Sequence, residues 1–123
     1  MSRLLIVEDQ PEIRMLIQMA LSFEDVEIHE APDGDTAMTL LPGLKPDLVL
    51  LDVLMPGTRS GLDVCRAIKA DASLQGIPVV MLSARSQPSD RQAGLAAGAD
   101  AYLVKPFSPN ELVRLIRKLL PGR

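Results

Sequence analysis

Cysteine is almost missing from this chain: Cys65 is the one thiol in 123 residues. A single cysteine excludes an internal disulfide and a cysteine-rich metal centre, and it fits a reducing cytoplasm. Tryptophan is absent, and two Phe and one Tyr make up the aromatic complement. That leaves no stacking platform for bases or sugars. His29 is the sole histidine, so a histidine-based metal site or phosphohistidine donor is not expected. No apolar run reaches the ~18 residues a membrane span needs. Met1-Ser2-Arg3 leads straight into an apolar segment, without a signal-peptide pattern. A cytoplasmic protein without membrane contact is expected. Excess positive charge is missing too. Thirteen Lys and Arg face 16 Asp and Glu, a net charge of −3. Since phosphate contacts need a basic face, direct nucleic-acid contact by this domain is not expected.

What is present is an ordinary globular composition, 47% hydrophobic and 24% charged, which excludes intrinsic disorder. The length is that of one domain, taken here as residues 1–123. Four short apolar runs read as strands buried on both faces: Leu4–Val7, Leu48–Leu51, Val79–Leu82 and Tyr102–Val104. Val26-Glu27-Ile28-His29 alternates, as an edge strand would. Between the runs lie helical patterns. Ile13, Leu16, Ile17, Ala20 and Leu21 form one stripe, and Leu112, Leu115, Ile116, Leu119 and Leu120 form another. The second opens with Ser108, Pro109 and Glu111 in capping-box positions and is stopped by Pro121-Gly122. Shorter helices are predicted over 35–41, closed by Pro42-Gly43, and over 62–70. A fifth, over about 89–97, is built mainly from alanine and glycine, so it buries little and is expected to be the most mobile. Five β-α repeats imply an α/β, doubly wound parallel sheet with helices on both faces. Such sheets bind ligands at the carboxyl ends of their strands.

The polar residues at those ends are informative. The first strand stops at Glu8-Asp9, the third at Asp52, the fourth at Ser83 and the fifth at Lys105-Pro106. Two carboxylates ~4 Å apart repel by about 4 kcal/mol at an effective dielectric of ~20. Lys105 supplies one compensating charge, and a divalent cation would supply two more. Oxygen ligands without nearby His or Cys favour Mg²⁺ over Zn²⁺. A metal held by two or three carboxylates keeps open positions suited to phosphate oxygens, which Ser83 and Lys105 could also bind. Asp52 is then the candidate nucleophile, since carboxylates can form acyl phosphates. Two other classes share parts of this pattern. A Mg²⁺-dependent phosphatase would want a second acid where Leu54 stands. A nucleotide- or flavin-binding module would want glycines where Glu8-Asp9-Gln10-Pro11 stands.

Across essentially its whole length the chain resembles the receiver domain of two-component response regulators. The resemblance rests on Ile6-Val7-Glu8-Asp9, Asp33-Gly34, the stretch from Asp47 to Pro56 with Asp52 inside it, Ser83-Ala84, Gly98-Ala99-Asp100 and Lys105-Pro106-Phe107. It implies a flavodoxin-like (βα)5 fold with strand order 2-1-3-4-5, and a phosphorylation-controlled switch rather than an enzyme acting on a separate substrate. It implies that Asp52 accepts a phosphoryl group from a phosphohistidine on a sensor histidine kinase or phosphotransfer protein. Asp9, Asp52 and the backbone carbonyl of Leu54 would ligate Mg²⁺, with Glu8 acting through water. Ser83 and Tyr102 match the switch hydroxyl and switch aromatic, the latter expected to turn from a partly exposed rotamer to a buried one on phosphorylation. Ala84 would offer its backbone to the phosphoryl group, and Lys105 matches the family's lysine before a cis proline. The fourth-helix, fifth-strand, fifth-helix surface would meet an output domain or downstream protein, or a second copy in a phosphorylation-dependent homodimer. Arg91, Asp100, Arg114 and Arg117 fall there, or form an ordinary solvated face.

Two departures and two plain readings complete the picture. Gly57-Thr58-Arg59-Ser60 makes the loop after Pro56 one residue longer than is common in similar sequences, and Ser83 stands where threonine is commoner. Leu54 and Arg85, two residues beyond Asp52 and Ser83, occupy positions that tune water access in similar receivers. Cys65 reads as a buried structural thiol, and His29 as a surface histidine.

Overall fold

The chain alternates strand and helix five times in the computed structural model, which describes residues 1–120. The strands are β1 (Ser2–Val7), β2 (Val26–Ala31), β3 (Leu48–Asp52), β4 (Val79–Ser83) and β5 (Ala101–Val104). The helices are α1 (Pro11–Ala20), α2 (Gly34–Leu44), α3 (Gly61–Ala70), α4 (Pro88–Ala96) and α5 (Pro109–Leu119). All strand pairs are parallel and the order is β2-β1-β3-β4-β5. β3 and β4 are buried at every position, which is why their sequences are continuous apolar runs rather than alternating ones.

Two apolar layers flank the sheet. On one face Leu4, Ile6, Leu48, Leu50, Val80 and Leu82 pack against Ile17 of α1, Leu21 just beyond it, and Leu112 and Ile116 of α5. On the other, Leu5, Val7, Val49, Leu51 and Met81 meet Leu41 of α2, Val64, Cys65 and Ile68 of α3, and Ala97 behind α4. Successive strand residues point to opposite faces, so each run supplies both layers.

Helix ends follow the expected chemistry with one correction. Ser108 and Glu111 form the capping box of α5 with Pro109 in its first turn, and Ser60 and Asp63 form a second box on α3. The expected stop at Pro121-Gly122 lies outside the described residues. α2, by contrast, is not closed by Pro42-Gly43: both residues are helical. A proline near the end forfeits one backbone bond, and the helix ends two residues later. There Lys45 adopts a left-handed φ of 45° and its N–H bonds the carbonyl of Leu41. Gly98, at φ 106°, closes α4 in a Schellman arrangement: its N–H bonds Leu95 O, and the N–H of Ala99 bonds Gly94 O.

Candidate functional site

The parallel arrangement brings the ends of β1, β3, β4 and β5 to one edge, and that edge carries the buried polar side chains of the described residues: Glu8, Asp52 and Ser83. Asp9 lies beside them and is exposed. Glu8, Asp9 and Asp52 each offer a carboxylate oxygen, and these oxygens lie within 4.8 Å of one another. Lys105, on the segment leaving β5, reaches across to them. Its Nζ is 2.6 Å from Glu8 Oε1 and 3.3 Å from Asp52 Oδ2. One ammonium therefore faces three carboxylates.

That imbalance shows in the acidities. Burial pushes the Glu8 carboxyl above the ordinary glutamate range, against the pull of its hydrogen bond to Lys105, and the neighbouring Asp52 raises it further. Asp9 is also raised, first by desolvation and then by Glu8. A cluster of oxygen donors that repel one another, with one face open through Asp9, suits a hard divalent cation. The donor set therefore fits the Mg²⁺ expected from the sequence, without histidine or thiolate to favour a softer metal.

Several groups hold this edge in place. The N–H of Leu54 donates to Asp52 Oδ1 at 3.3 Å, and the Leu54 side chain projects into solvent. Arg14 of α1 donates to the backbone carbonyl of Glu8 at 2.8 Å and pairs with Glu30 at 3.5 Å, so it steadies the turn carrying Glu8 and Asp9. Gly61 matters for a different reason. A Cβ there would lie 2.0 Å from the carbonyl oxygen of Asp52, and the Gly61 N–H bonds Val53 O at 2.9 Å. Only glycine lets α3 begin this close to the strand end. Sequence reasoning found neither the packing role of Gly61 nor Arg14; an arginine one turn into α1 carries no distinctive signal.

Of the residues singled out from the sequence, Glu8, Asp9, Asp52 and Lys105 converge. Ser83 ends the neighbouring strand, where its Oγ accepts from the N–H of Arg85 at 3.0 Å, and Ala84 follows it at the surface. Tyr102 corrects one expectation. It was expected in a partly exposed rotamer, but its ring is already buried and its hydroxyl donates to Arg85 O at 3.0 Å. Gly94 makes room for it, since a Cβ there would meet the ring at 2.9 Å. The glycine that weakens α4 is thus what lets the tyrosine in. Arg91 lies over the same ring, 5.6 Å from its centroid. Arg85 extends into solvent towards Asp90. Asp100 and Arg117 are not merely solvated: Asp100 binds Lys69 and the N–H of Val79, and Arg117 makes a two-bond pair with Glu24. Cys65 is buried, and burial raises its thiol pKa above the ordinary range. His29 lies half-exposed beside Glu27.

The chain has relatives of known family and fold. The profile of the response regulator receiver domain matches residues 4–117. The chain belongs to the response regulator receiver family. It is 42% identical over 118 residues to the DNA-binding response regulator MtrA of Mycolicibacterium smegmatis, covering 96% of this chain and 50% of that protein. It is 44% identical to the phosphate regulon transcriptional regulatory protein PhoB of Klebsiella pneumoniae, with 96% and 51% covered. The chain thus spans about half the length of these curated relatives. Among solved structures, the BeF3-activated N-terminal receiver domain of Klebsiella pneumoniae RstA superimposes with a TM-score of 0.89 at 33% identity, covering 98% of this chain and 100% of that one. The five parallel strands in order 2-1-3-4-5 are those of the CheY-like fold. Receiver domains of response regulators are signalling switches that work with histidine kinases and output domains. Among the described residues no helix is long and apolar enough to cross a membrane.

Proposed function

We propose that this receiver takes a phosphoryl group onto Asp52 from a phosphohistidine of a sensor histidine kinase or phosphotransfer protein, and that Mg²⁺ is required. The observation that carries the reading is the convergence of Glu8, Asp9, Asp52 and Lys105 at one strand edge. In the transfer, a carboxylate oxygen of Asp52 bonds to phosphorus as the phosphorus–nitrogen bond breaks. The electron pair stays with the imidazole, which takes up a proton from solvent. Asp9, Asp52 and the carbonyl of Leu54 would hold the cation, with Glu8 acting through water. When bound, the ion neutralises charge on the phosphoryl oxygens and orients them. Lys105 can turn from its present carboxylate partners to a phosphoryl oxygen. The Ser83 hydroxyl accepts from Arg85 and has its own proton to donate, and the backbone of Ala84 would offer a further contact to the phosphoryl group.

The conformational consequence runs through Arg85. Its N–H is held by Ser83 and its carbonyl by Tyr102, so a shift of Ser83 towards a phosphoryl oxygen moves a segment to which the tyrosine is already fastened. α4 follows readily: it has no side-chain cap, and Gly94 is its one buried residue. The α4-β5-α5 surface, with Arg91 and Arg114, would then change shape for an output domain, a downstream protein or a second copy in a phosphorylation-dependent homodimer. This reading carries a cytoplasmic location with it, and no direct nucleic-acid contact by the domain.

Incubation with a small phosphodonor and Mg²⁺, followed by intact mass measurement, tests it. Wild type should gain one persistent phosphate and Asp52→Asn none. Equal incorporation in both would remove Asp52 from the acceptor role, and rapid turnover without a persistent adduct would favour a phosphatase.

A further inference from the structure

The loop between β3 and α3 is fastened in an unusual way. Its base is closed by the Gly61 N–H on Val53 O and by the Ser60–Asp63 capping box. Its tip leans on α2 through one side chain. Thr58 Oγ1 donates to Asp35 at 2.9 Å (Oδ2) and 3.1 Å (Oδ1), and Arg59 Nε lies 3.3 Å from Asp35 Oδ1. Gly57, at φ 99°, provides the turn, and a Cβ there would come within 3.4 Å of the same carboxylate. Thr58 and Arg59 belong to the segment Gly57–Ser60 that makes this loop one residue longer than usual.

We infer that Asp35 is a positioning residue for the cation site, a latch that compensates for the longer loop. The inference rests on the reading in which the Leu54 carbonyl is a metal ligand. Leu54 opens the loop with its N–H on Asp52 and Met55 packs on the core, while among the described residues the side-chain hydrogen bonds and ion pair of the tip all end on Asp35. A loop free at its tip must be ordered when its first carbonyl takes up a ligand, and that ordering weakens binding. With the tip already held, the cost has been met in the free protein. Each contact alone is exposed and weak, and the effect comes from the Thr58 hydrogen bond and the Arg59 ion pair converging on one carboxylate.

The test uses MgCl₂ titrated into wild type, Asp35→Ala, Thr58→Val and the double variant, read from backbone amide shifts at residues 8, 9, 52 and 54. Asp35→Ala should bind Mg²⁺ roughly threefold to tenfold more weakly, Thr58→Val less so, and the double variant no worse than Asp35→Ala. Amide exchange over 54–60 should quicken in the metal-free variants while the unfolding midpoint hardly moves, which separates a latch from a general loss of stability. If Asp35→Ala folds poorly, Thr58→Val and Arg59→Gln decide the matter by the same readouts. Wild type and variants binding Mg²⁺ equally would overturn the latch and leave the site intact. A wild type that binds no Mg²⁺ would overturn the underlying reading, and the latch with it.

Discussion

The two ends of the sheet treat charge in opposite ways. At the amino end Arg3, Asp47, Lys69 and Asp100 have all found matches. Lys69 donates to the carbonyls of Gln75 and Ile77 and to Asp100, and Asp100 also accepts from the N–H of Val79 at the start of β4. Asp47 accepts from the N–H of Arg3, while its own N–H bonds Arg3 O. At the carboxyl end Glu8 and Asp52 are buried next to Asp9 with one lysine among them. One end is settled by the chain itself, and the other is left in need of positive charge. Groups that only hold a fold together are free to settle their charges, whereas a binding edge keeps them for its ligand.

The carboxyl end is most sensitive at Gly61. Gly61→Ala would force a methyl group against the Asp52 carbonyl, at a cost of about 3 kcal/mol in unfolding free energy, together with displaced amide signals at Asp52. Chemical denaturation and amide spectra check both. At the amino end Lys69→Ala should cost about 2 kcal/mol and leave Mg²⁺ binding unchanged, because its hydrogen bonds to backbone and Asp100 belong to stability alone. A loss of Mg²⁺ affinity in that variant would erase the distinction between the ends.

The pH dependence should also divide them. The folded-state pKa of Glu8 is raised, so the metal-free folded protein binds more protons than the unfolded chain between the ordinary glutamate value and the raised one. Glu8 therefore subtracts stability as pH rises through that window, and wild type should lose ground to Glu8→Gln there. The helix-capping Asp33 and Asp63 behave oppositely. The backbone N–H of Thr36 lowers the first and that of Ser60 the second, so their contribution is present above the ordinary aspartate value and is lost as pH falls through the lowered ones. Denaturation series in EDTA at mildly acid and neutral pH, on wild type and Glu8→Gln, read the sign directly.

Much of this architecture was legible in the sequence because it is written in local patterns. Buried parallel strands appear as apolar runs, and α5 as a stripe with Ser108 and Glu111 in capping positions. The site was legible because strand ends in a parallel sheet share an edge, so Glu8, Asp9, Asp52, Ser83 and Lys105 could be grouped without knowing any distance. What escaped depends on contacts between distant segments. Nothing near Tyr102 says that Gly94, on another element, makes room for its ring. Nothing near Thr58 points to Asp35, 23 residues earlier. Pro42 misled because proline ends helices more often than it occupies their last turn.

The smallest of the expected effects is also the sharpest, because its sign reverses with conditions. Asp9 is exposed, so removing its repulsion with Glu8 gains only about 0.5 kcal/mol, yet the same carboxylate is expected to ligate the cation. Thermal unfolding of wild type and Asp9→Ala should therefore be measured in EDTA and again in excess Mg²⁺. The variant should melt above wild type without the ion and below it with the ion, since binding stabilises only the form that binds. If Asp9→Ala melts lower in both buffers, or if Mg²⁺ leaves the wild-type midpoint where it was, the carboxyl end is not a charge-deficient cation site.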